Sequence, residues 1–530
     1  MNNAPSPNLS ARISLSTRLT LCVIPLMTVA FVLWIERAKG PFWLGSNSDP
    51  DYAYLLNALA LAIAKMPAHT DHPGTTLQAF GAVVLRATHL FFGRANIVDD
   101  VLLRPEFYLR AINFAVLALF AIIQTAVGWT ARRLSYNRYD IVACLLLQAA
   151  PLAAFTSVQT LACVNAEGLL QAVATVLTLV IVCALAKNTT ESRGTAWSMG
   201  AIVAAGVVTK VTFVPMLLIL FCVLSGWRAR LHGLGAFVAT VLILLLPVYK
   251  LVPRIGGWLW DIATHTGTYG AGATGFADPA IYMKSLWELI GQEWIAALII
   301  AASFAVGFAY FFVKEKEDNA RREAAVLWIV SLAQIAQFLV VAKHPARHYL
   351  QPALSLLGLN LFLIYRISLQ HLPLNRSRPI AICTVAALSF IEFRNTAEYS
   401  KELQAMKLAQ FKTVEFQQRQ PNAKVIYHYR SSSLESALAF GNGYAGGRFG
   451  HDLHRLYPRA LFYSLWHKTY YNFDADFPLE SILKWAESEP VFLQGTPFDG
   501  DHAQYTPANV KLERVSEPGP EVLYRVTPAR

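Results

Sequence analysis

The sequence predicts a polytopic α-helical membrane protein with about eleven transmembrane helices, followed by a C-terminal soluble α/β domain. Three observations lead to this fold class. Of the 530 residues, 55% are hydrophobic and 15% are charged, with a mean hydropathy of +0.39. Soluble domains carry about 25% charged residues. Apolar runs of about 20 residues recur up to about residue 394, after which the composition becomes that of a soluble domain.

Each apolar run is long enough to cross the hydrocarbon core of a bilayer as a helix, which takes about 20 residues. The first run follows Arg18 and is too long for the apolar part of a secretory signal, so we predict a retained membrane helix. The predicted spans lie at about 19–36, 108–128, 139–157, 167–186, 196–209, 211–226, 234–251, 288–313, 324–342, 350–366 and 379–394.

The net charge of +11 does not indicate nucleic-acid binding, because much of the excess lies in short loops between the spans. Alternate loops are basic, and basic loops of membrane proteins face the cytoplasm. With the N-terminus inside and an odd number of spans, we expect the long loop at about 37–107 and residues 395–530 on the outer face. The composition suggests an integral protein of a bacterial inner membrane, with a cytoplasmic N-terminus and a periplasmic C-terminal domain.

Two domains are predicted. Residues 1–394 form the transmembrane domain, including the outer loop 37–107 with two helices in the membrane interface, at 51–66 and 73–92. Residues 395–530 form the α/β domain. Its predicted elements are strands at 423–429 and 491–493, helices at 433–440 and 479–487, turns at 440–448 (FGNGYAGGR), and a terminal hairpin at 510–515 and 521–526.

Two acids, Asp49 and Asp51, follow closely on the first span in the stretch SNSDPDYAYLLN at 46–57. One interpretation is structural: Asp49 caps a helix that has Pro50 at its first position, and Asp51 suits the helix dipole. The other is that one carboxylate acts at the membrane surface as a general base on a lipid-borne substrate. Glu167, at the outer mouth of the fourth span, is either a solvated acid or a second carboxylate of the same site.

Basic residues gather on the outer face, where the positive-inside rule predicts few of them. Lys210 lies at the outer end of a tight hairpin, and Lys343, His344, Arg347 and His348 fill the loop between the ninth and tenth spans. This concentration predicts an anion site for a lipid phosphate or pyrophosphate, which Arg347 would bind as a planar fork and Lys210 or Lys343 as point charges.

Two further features of the outer face have alternative interpretations. His72, in TDHPGTTLQ, either precedes a capped helix or meets an anionic group at a helix N-terminus. The loop at about 252–287, with Trp258, Trp260 and Tyr269, is either a lid over a site or an interfacial aromatic belt. The sequence contains no plausible metal cluster, nucleophile elbow or Walker motif.

Four short stretches on the outer face carry a family resemblance: DPDYA at 49–53, NAEGLL at 165–170, GVVTK at 206–210 and RHYLQP at 347–352. They resemble motifs of the GT-C superfamily of membrane glycosyltransferases. Within it, the chain resembles the group of dolichyl-phosphate-mannose protein mannosyltransferases and bacterial lipid A aminoarabinose transferases. The resemblance covers roughly residues 18–395. The acid motif is one residue shorter than the family's, with proline where glutamate is common, so either Asp49 or Asp51 would be the base.

The resemblance implies a GT-C-like helix arrangement and transfer of a sugar, with inversion, from a polyprenyl-phosphate carrier to a lipid, glycan or protein acceptor. An aspartate would deprotonate the acceptor, and bases would stabilise the phosphate leaving group. No cofactor is expected, although a divalent metal is not excluded. Taken together with the charge pattern, the candidate catalytic residues are Asp49, Asp51 and Glu167, and the candidate substrate-binding residues are His72, Lys210, Lys343, His344, Arg347, His348 and Tyr349.

Three other functions stay open at this point. Charged residues within paired, interrupted spans would indicate a transporter. A polymerase or ligase acting on polyprenyl-diphosphate glycans would use similar outer-face groups. A non-catalytic scaffold that presents the outer domain would not need the loop acids.

Overall fold

The computed structural model describes residues 14–70, 74–134, 140–312, 318–420 and 422–529, and α-helices dominate it. The helices up to the end of the apolar region are α1 (Leu15–Lys39), α2 (Asp51–Ala62), α3 (Thr75–Phe92), α4 (Ile97–Leu103), α5 (Pro105–Leu134), α6 (Ile141–Gln148), α7 (Ala150–Ala153), α8 (Phe155–Leu161), α9 (Ala166–Lys187), α10 (Arg193–Thr209), α11 (Leu217–Val223), α12 (Trp227–Leu245), α13 (Val252–Thr264), α14 (Pro279–Gln292), α15 (Trp294–Phe312), α16 (Asp318–Val341), α17 (Gln351–Leu354), α18 (Leu357–Ser368) and α19 (Leu374–Gln418). Short 3₁₀ helices lie at Val211–Met216, Leu246–Leu251, Thr268–Gly270 and Arg347–Leu350.

Among the described residues, seven helical segments are long and apolar enough to cross a membrane. They are α1, α5, α9, α12 continued into α13, α16, the 3₁₀ turn with α17 and α18, and α19. Helices α14 and α15, bent by 95° at their junction, make an eighth if they form one span. The polytopic helical fold is therefore confirmed, and the chain is an integral membrane protein. The seven or eight segments among the described residues are fewer than the eleven predicted spans.

The predicted spans at 139–157, 196–209 and 211–226 are helical but shorter or interrupted. Residues 141–161 form three helices with breaks at Ala149 and Ala154, and Pro151 opens the middle one. The segment after Lys210 begins as a 3₁₀ helix that contains Pro215. Proline has no N–H to donate along a helix, which accounts for irregular geometry at these positions.

Contacts divide the described residues into two compact units. The first comprises 14–33, 70–76 and 115–396, and the second comprises 34–69, 77–114 and 397–529. Most of the loop 37–107 is thus grouped with the C-terminal residues, whereas the sequence predicts it as part of the transmembrane domain. The domain boundaries stay a prediction.

The first unit is held together by close helix packing and by polar contacts between helices. Helices α10 and α12 approach closely, because a Cβ atom on Gly200 would lie 2.1 Å from the carbonyl oxygen of Gly233. Gln124 and Gln148 donate reciprocally to each other's backbone carbonyl oxygens, at 2.7 and 2.9 Å. Such amide pairs satisfy polar groups where water is scarce.

The second unit contains a seven-stranded sheet in the order β4-β3-β2-β1-β5-β7-β6. Strand β1 pairs in parallel with β2 and β5, and the other pairs are antiparallel. The elements are β1 (Lys424–Tyr427), α20 (Leu434–Tyr444), α21 (Gly450–Leu456), β2 (Leu461–Ser464), β3 (Thr469–Tyr471), β4 (Asp476–Phe477), α22 (Leu479–Ser488), β5 (Val491–Gly495), a 3₁₀ helix (Gly500–Tyr505), β6 (Val510–Arg514) and β7 (Val522–Pro528). The predicted C-terminal α/β fold is confirmed.

Two local predictions for the second unit need correction. Helix α20 continues to Tyr444, so the turn prediction for 440–448 is wrong over its first half. Gly441 lies where α20 crosses α2, since a Cβ there would be 2.6 Å from the carbonyl oxygen of Tyr52. Helix α2 is buried along nearly its whole length, which fits a helix packed inside protein rather than one lying in the interface. Helix α3 keeps Leu90 and Phe91 exposed, as an interfacial helix requires.

Candidate functional site

In the second unit, the stretch at 46–57 that contains Asp49 and Asp51 leads into helix α2. That helix begins at Asp51, with Pro50 in the N-cap position and no capping hydrogen bond from a side chain. The interpretation of Asp49 as the helix cap is therefore wrong, because Asp49 lies one residue further out. The amide of Asn47 shapes this loop by donating to the carbonyl oxygens of Lys39, at 3.1 Å, and Pro41, at 2.9 Å.

Asp51 is enclosed by protein. Its side chain is fully buried, and its Oδ2 lies 3.6 Å from the ammonium of Lys39, which is itself 9% exposed. The Lys39 ammonium also lies 4.9 Å from the ring centroid of Phe42. An ion pair at this depth matches a structural role, since a buried carboxylate needs a counter-charge.

Asp49 has a different environment from Asp51. Its side chain reaches solvent, yet the surrounding protein partly desolvates the carboxyl group and raises its pKa, while the positive charge of Arg430 opposes this shift. A carboxylate that is accessible and has a raised pKa is suited to general-base chemistry near neutral pH. The geometry of the second unit thus favours Asp49 over Asp51 for that role.

Residues that follow strand β1 hold the loop that carries Asp49. The backbone N–H of Gly45 donates to Ser432 Oγ at 3.1 Å. A Cβ atom on Gly45 would lie 1.8 Å from the carbonyl oxygen of Arg430, so only glycine fits at this approach. Sequence reasoning missed Arg430 and Ser432, because the contact joins positions that are hundreds of residues apart.

In the first unit, Lys210 and Glu167 form a buried ion pair. Lys210 Nζ donates to Glu167 Oε1, and each side chain is 4% exposed. Glu167 lies in the first turn of α9, whose N-terminus is capped by Asn165 through a 3.0 Å bond from the Gly168 N–H. The interpretation of Glu167 as a solvated acid is wrong, since α9 and the end of α10 enclose it.

The same pair has two neighbours from the motif RHYLQP. His348 Nε2 lies 3.8 Å from Glu167 Oε1, with nearly half of the His348 side chain exposed. The Lys210 ammonium lies 4.2 Å from the ring centroid of Tyr349. Four predicted site residues, Glu167, Lys210, His348 and Tyr349, are therefore in contact.

Arg347 contacts an acid that sequence reasoning missed. Its Nε and Nη2 donate to Glu293 Oε1 at 3.1 and 2.9 Å, and Thr156 Oγ1 donates to the same oxygen. Glu293 is 4% exposed, whereas the Arg347 side chain is 36% exposed. One edge of the guanidinium therefore faces a carboxylate. The available signal was Glu293 itself, a charged residue directly before the apolar run of α15.

Lys343 and His344 contact the glycine-rich loop that was predicted as a lid or aromatic belt. Lys343 Nζ donates to the Ala263 carbonyl oxygen at 2.9 Å, and His344 stacks on Tyr269 with ring centroids 6.4 Å apart. The hydroxyl groups of Tyr269 and Tyr349 are 3.1 Å apart. Burial lowers the pKa of Lys343; burial and the Lys343 charge lower that of His344. Residues of this loop thus contact Lys343, His344 and Tyr349.

Two predictions about the site remain as predictions. His72 lies outside the described residues. Within the described ranges, no group of three or more His, Cys, Asp or Glu residues has the geometry to hold a metal ion. The absence of a cofactor therefore stays an expectation.

The fold defines a class, a polytopic integral membrane protein with a C-terminal α/β sheet domain. The chain is similar to the crystal structure of ArnT from Cupriavidus metallidurans bound to undecaprenyl phosphate, with 12% identity, a TM-score of 0.50, and coverage of 94% of this chain and 97% of that one. The apo form of that protein gives 13% identity, a TM-score of 0.51 and the same coverage. No family model and no curated protein sequence matches the chain.

Proposed function

We propose that this protein is a glycosyltransferase that moves a sugar from a polyprenyl-phosphate carrier to an acceptor at the outer face of a bacterial inner membrane. The observation that carries the proposal is the likeness, along 94% of the chain, to a structure of ArnT that holds undecaprenyl phosphate. The buried and half-buried charges described above supply the groups that such a reaction needs. The N-terminus would lie in the cytoplasm and the sheet in the periplasm.

The basic cluster of the first unit is assigned to the carrier phosphate. Arg347 and His348 are its partly exposed members, and Lys343 adds a further positive charge. Glu293 would orient the guanidinium so that its remaining N–H groups meet phosphate oxygens. Lys210 is neutralised by Glu167, so we assign it to positioning His348 and Tyr349 rather than to direct phosphate binding.

Asp49 is assigned as the general base. It would take the proton of an acceptor hydroxyl or amine, whose lone pair forms the new bond to the anomeric carbon. The bond from that carbon to the phosphate oxygen breaks with its electron pair remaining on the polyprenyl phosphate, and attack from the opposite face inverts the centre. Arginine and histidine can stabilise the departing phosphate, so this step needs no metal.

The test is transfer by purified protein in liposomes supplied with undecaprenyl-phosphate-linked sugars and membrane-derived acceptors. We expect Asp49→Asn to lose about 10²–10⁴-fold in kcat while the fold is kept, which is the usual contribution of a general base. Asp51→Asn should mainly lower stability, because it weakens the pair with Lys39. Asp476→Asn, an exposed acid of the same unit, is the matched control.

The outcomes of this assay separate the roles. Transfer by Asp49→Asn at the wild-type rate would contradict the assignment of the base. No sugar transfer by well-folded wild-type protein with any undecaprenyl-phosphate sugar would contradict the proposed function. Addition of EDTA should leave the rate unchanged, and a loss of activity that Mg²⁺ or Mn²⁺ restores would contradict the metal-free step.

A further inference from the structure

The carboxyl ends of three parallel strands meet at one edge of the sheet in the second unit. Strands β2 and β5 lie on opposite sides of β1, and the chain passes from β1 to β2 before it returns to β5. This is a topological switch point, the position where open α/β sheets bind ligands beyond their strand ends. The segments at this edge are 428–430, 465–466 and 496–498.

Aromatic and basic side chains line this edge. Trp466, two residues after the end of β2, is 66% exposed, and its ring contacts the Tyr429 ring edge-on at 5.5 Å between centroids. The Arg430 guanidinium carbon lies 5.2 Å from the Tyr429 ring centroid, and the His502 ring lies 6.1 Å from it. An exposed indole beside polar groups suits a sugar, whose C–H face packs on an aromatic ring while its hydroxyls hydrogen-bond.

Beneath these residues lie imidazole nitrogens without partners. His428 is 4% exposed, and neither of its ring nitrogens has a hydrogen-bond partner among the described residues, nor does His502 Nδ1. Burial lowers the pKa of His428 to about 3, so its ring is neutral and offers one donor and one acceptor. These nitrogens are enclosed by protein, so His428 is a supporting residue, and the side chains at this edge that a ligand can reach include Tyr429, Arg430 and Trp466.

Gly495 supports this arrangement at the end of β5. A Cβ atom there would lie 2.6 Å from His428 Nε2, so the imidazole lies directly against the strand backbone. On its other side the ring stacks on Phe498, with centroids 4.7 Å apart. The orientation of His428 is therefore determined by packing, although its nitrogens make no hydrogen bonds among the described residues.

The same edge continues to the acid loop. Arg430 and Ser432 contact Gly45, as described above, and the charge of Arg430 acts on Asp49. A ligand bound over Trp466 and Tyr429 would therefore lie beside the loop that carries Asp49.

We propose that Tyr429, Arg430, Trp466 and His502, with the buried His428 supporting them, form a carbohydrate-binding site, which we call the strand-end site, and that the bound sugar belongs to the acceptor. Carbohydrate binding at the strand-end site is independent of catalysis. The link to the acceptor rests on the proposed function, because it assumes that Asp49 activates the acceptor.

The test is a glycan array covering hexoses, amino sugars and uronic acids, probed with the full-length protein in detergent. We expect the wild type to bind at least one glycan class and Trp466→Ala to bind it about tenfold more weakly, the effect of losing about 1.4 kcal/mol of stacking and contact. Trp227→Ala removes an equally exposed tryptophan of the first unit and should bind as the wild type does.

The transfer assay then separates carbohydrate binding from the link to the acceptor. Asp49→Asn should retain glycan binding, and Trp466→Ala should raise the acceptor KM about tenfold without changing the KM for the carrier. No glycan binding by the wild type, or equal binding by Trp466→Ala, overturns the strand-end site. Glycan binding through Trp466 with an unchanged acceptor KM overturns only the link to the acceptor. Glycan binding without any transferase activity overturns the proposed function and that link, while the site itself stands.

Discussion

Replacing Lys210 by methionine removes one partner of the buried ion pair with Glu167. The two side chains are each 4% exposed, so water cannot substitute for the lost ammonium. His348 Nε2 lies 3.8 Å away and is the nearby group able to offset part of the charge. The carboxylate left behind must therefore remain as an uncompensated charge, or take up a proton.

Leaving the Glu167 carboxylate charged and protonating it cost similar free energies. Truncating one partner of a buried ion pair costs about 3–5 kcal/mol. Protonating a glutamate at pH 7 costs about 3.7 kcal/mol, given its ordinary pKa of about 4.3, and deprotonating a lysine costs about 4.6 kcal/mol. We therefore expect Lys210→Met to lower the free energy of unfolding by about 3–4 kcal/mol and Glu167→Gln by about 3–5 kcal/mol.

The double variant Glu167→Gln/Lys210→Met removes both charges together and should lose about 3–6 kcal/mol, which is about 3 kcal/mol less than the two single losses added together. Reversible denaturant unfolding in detergent, followed by circular dichroism, measures all four proteins of the cycle. A Lys210→Met protein as stable as the wild type, or a double variant as unstable as the two losses added together, would refute the reasoning. Undecaprenyl phosphate affinity of the double variant should stay within about threefold, whereas Arg347→Ala should lose about tenfold.

Three further outcomes follow from the second unit. Gly441→Ala should cost about 1–3 kcal/mol in thermal unfolding, because the new methyl group meets a backbone carbonyl of α2, whereas Gly443→Ala has open space and should be neutral or stabilising. Arg430→Gln removes the charge that lowers the pKa of Asp49, so the acidic limb of kcat/KM should move to higher pH; an unmoved limb contradicts the interaction. In the wild type, His428 takes a proton near pH 6.5 when unfolded but only near pH 3 when folded, so falling pH removes about 2 kcal/mol between pH 7 and pH 5. Hydrogen exchange of β1 should report this loss, and it should be absent in His428→Phe.

The membrane fold was predictable because long apolar runs are a local property of the sequence. The breaks within those runs were not, because hydropathy stays high through Pro151 and Pro215 while the backbone geometry changes. The end of the last helix was missed for a related reason. Polar residues after 394 end the apolar run, but lysine, glutamate, glutamine and alanine favour helix, and α19 continues to Gln418.

Strands β1, β5, β6 and β7 were predicted from the sequence, whereas β2, β3 and β4 were not. Strands β3 and β4 span three and two residues, too few for an alternating period to emerge. Strand β3 pairs with β2, and β4 pairs with β3, both in antiparallel register, which a local pattern does not contain. The predicted hairpin of β6 and β7, in contrast, pairs strands that are close in sequence.

The basic cluster, Lys210 with Lys343, His344, Arg347 and His348, was predicted from the sequence, but the ion pairs of its members were not. Lys210 and Arg347 were predicted to bind a phosphate. Each contacts a glutamate, at sequence separations of 43 and 54 residues. Those pairings depend on helix packing and not on spacing. Because two of its cations are paired, the cluster would meet a phosphate, under the proposed function, through the exposed edge of Arg347, through His348 and through Lys343.

The order Asp, Pro, Asp at the start of α2 is not explained by helix capping. The proline occupies the position where an N-cap residue would sit, so neither acid caps the helix, and the two carboxylates enter unlike surroundings. Asp51 turns inward to Lys39, where burial requires the pair, while Asp49 remains in contact with solvent and under the field of Arg430. Only a carboxylate that can exchange its proton with a substrate can act as a base. Under the proposed function that condition favours Asp49, and the loop after β1 would then help to set the reactivity of Asp49.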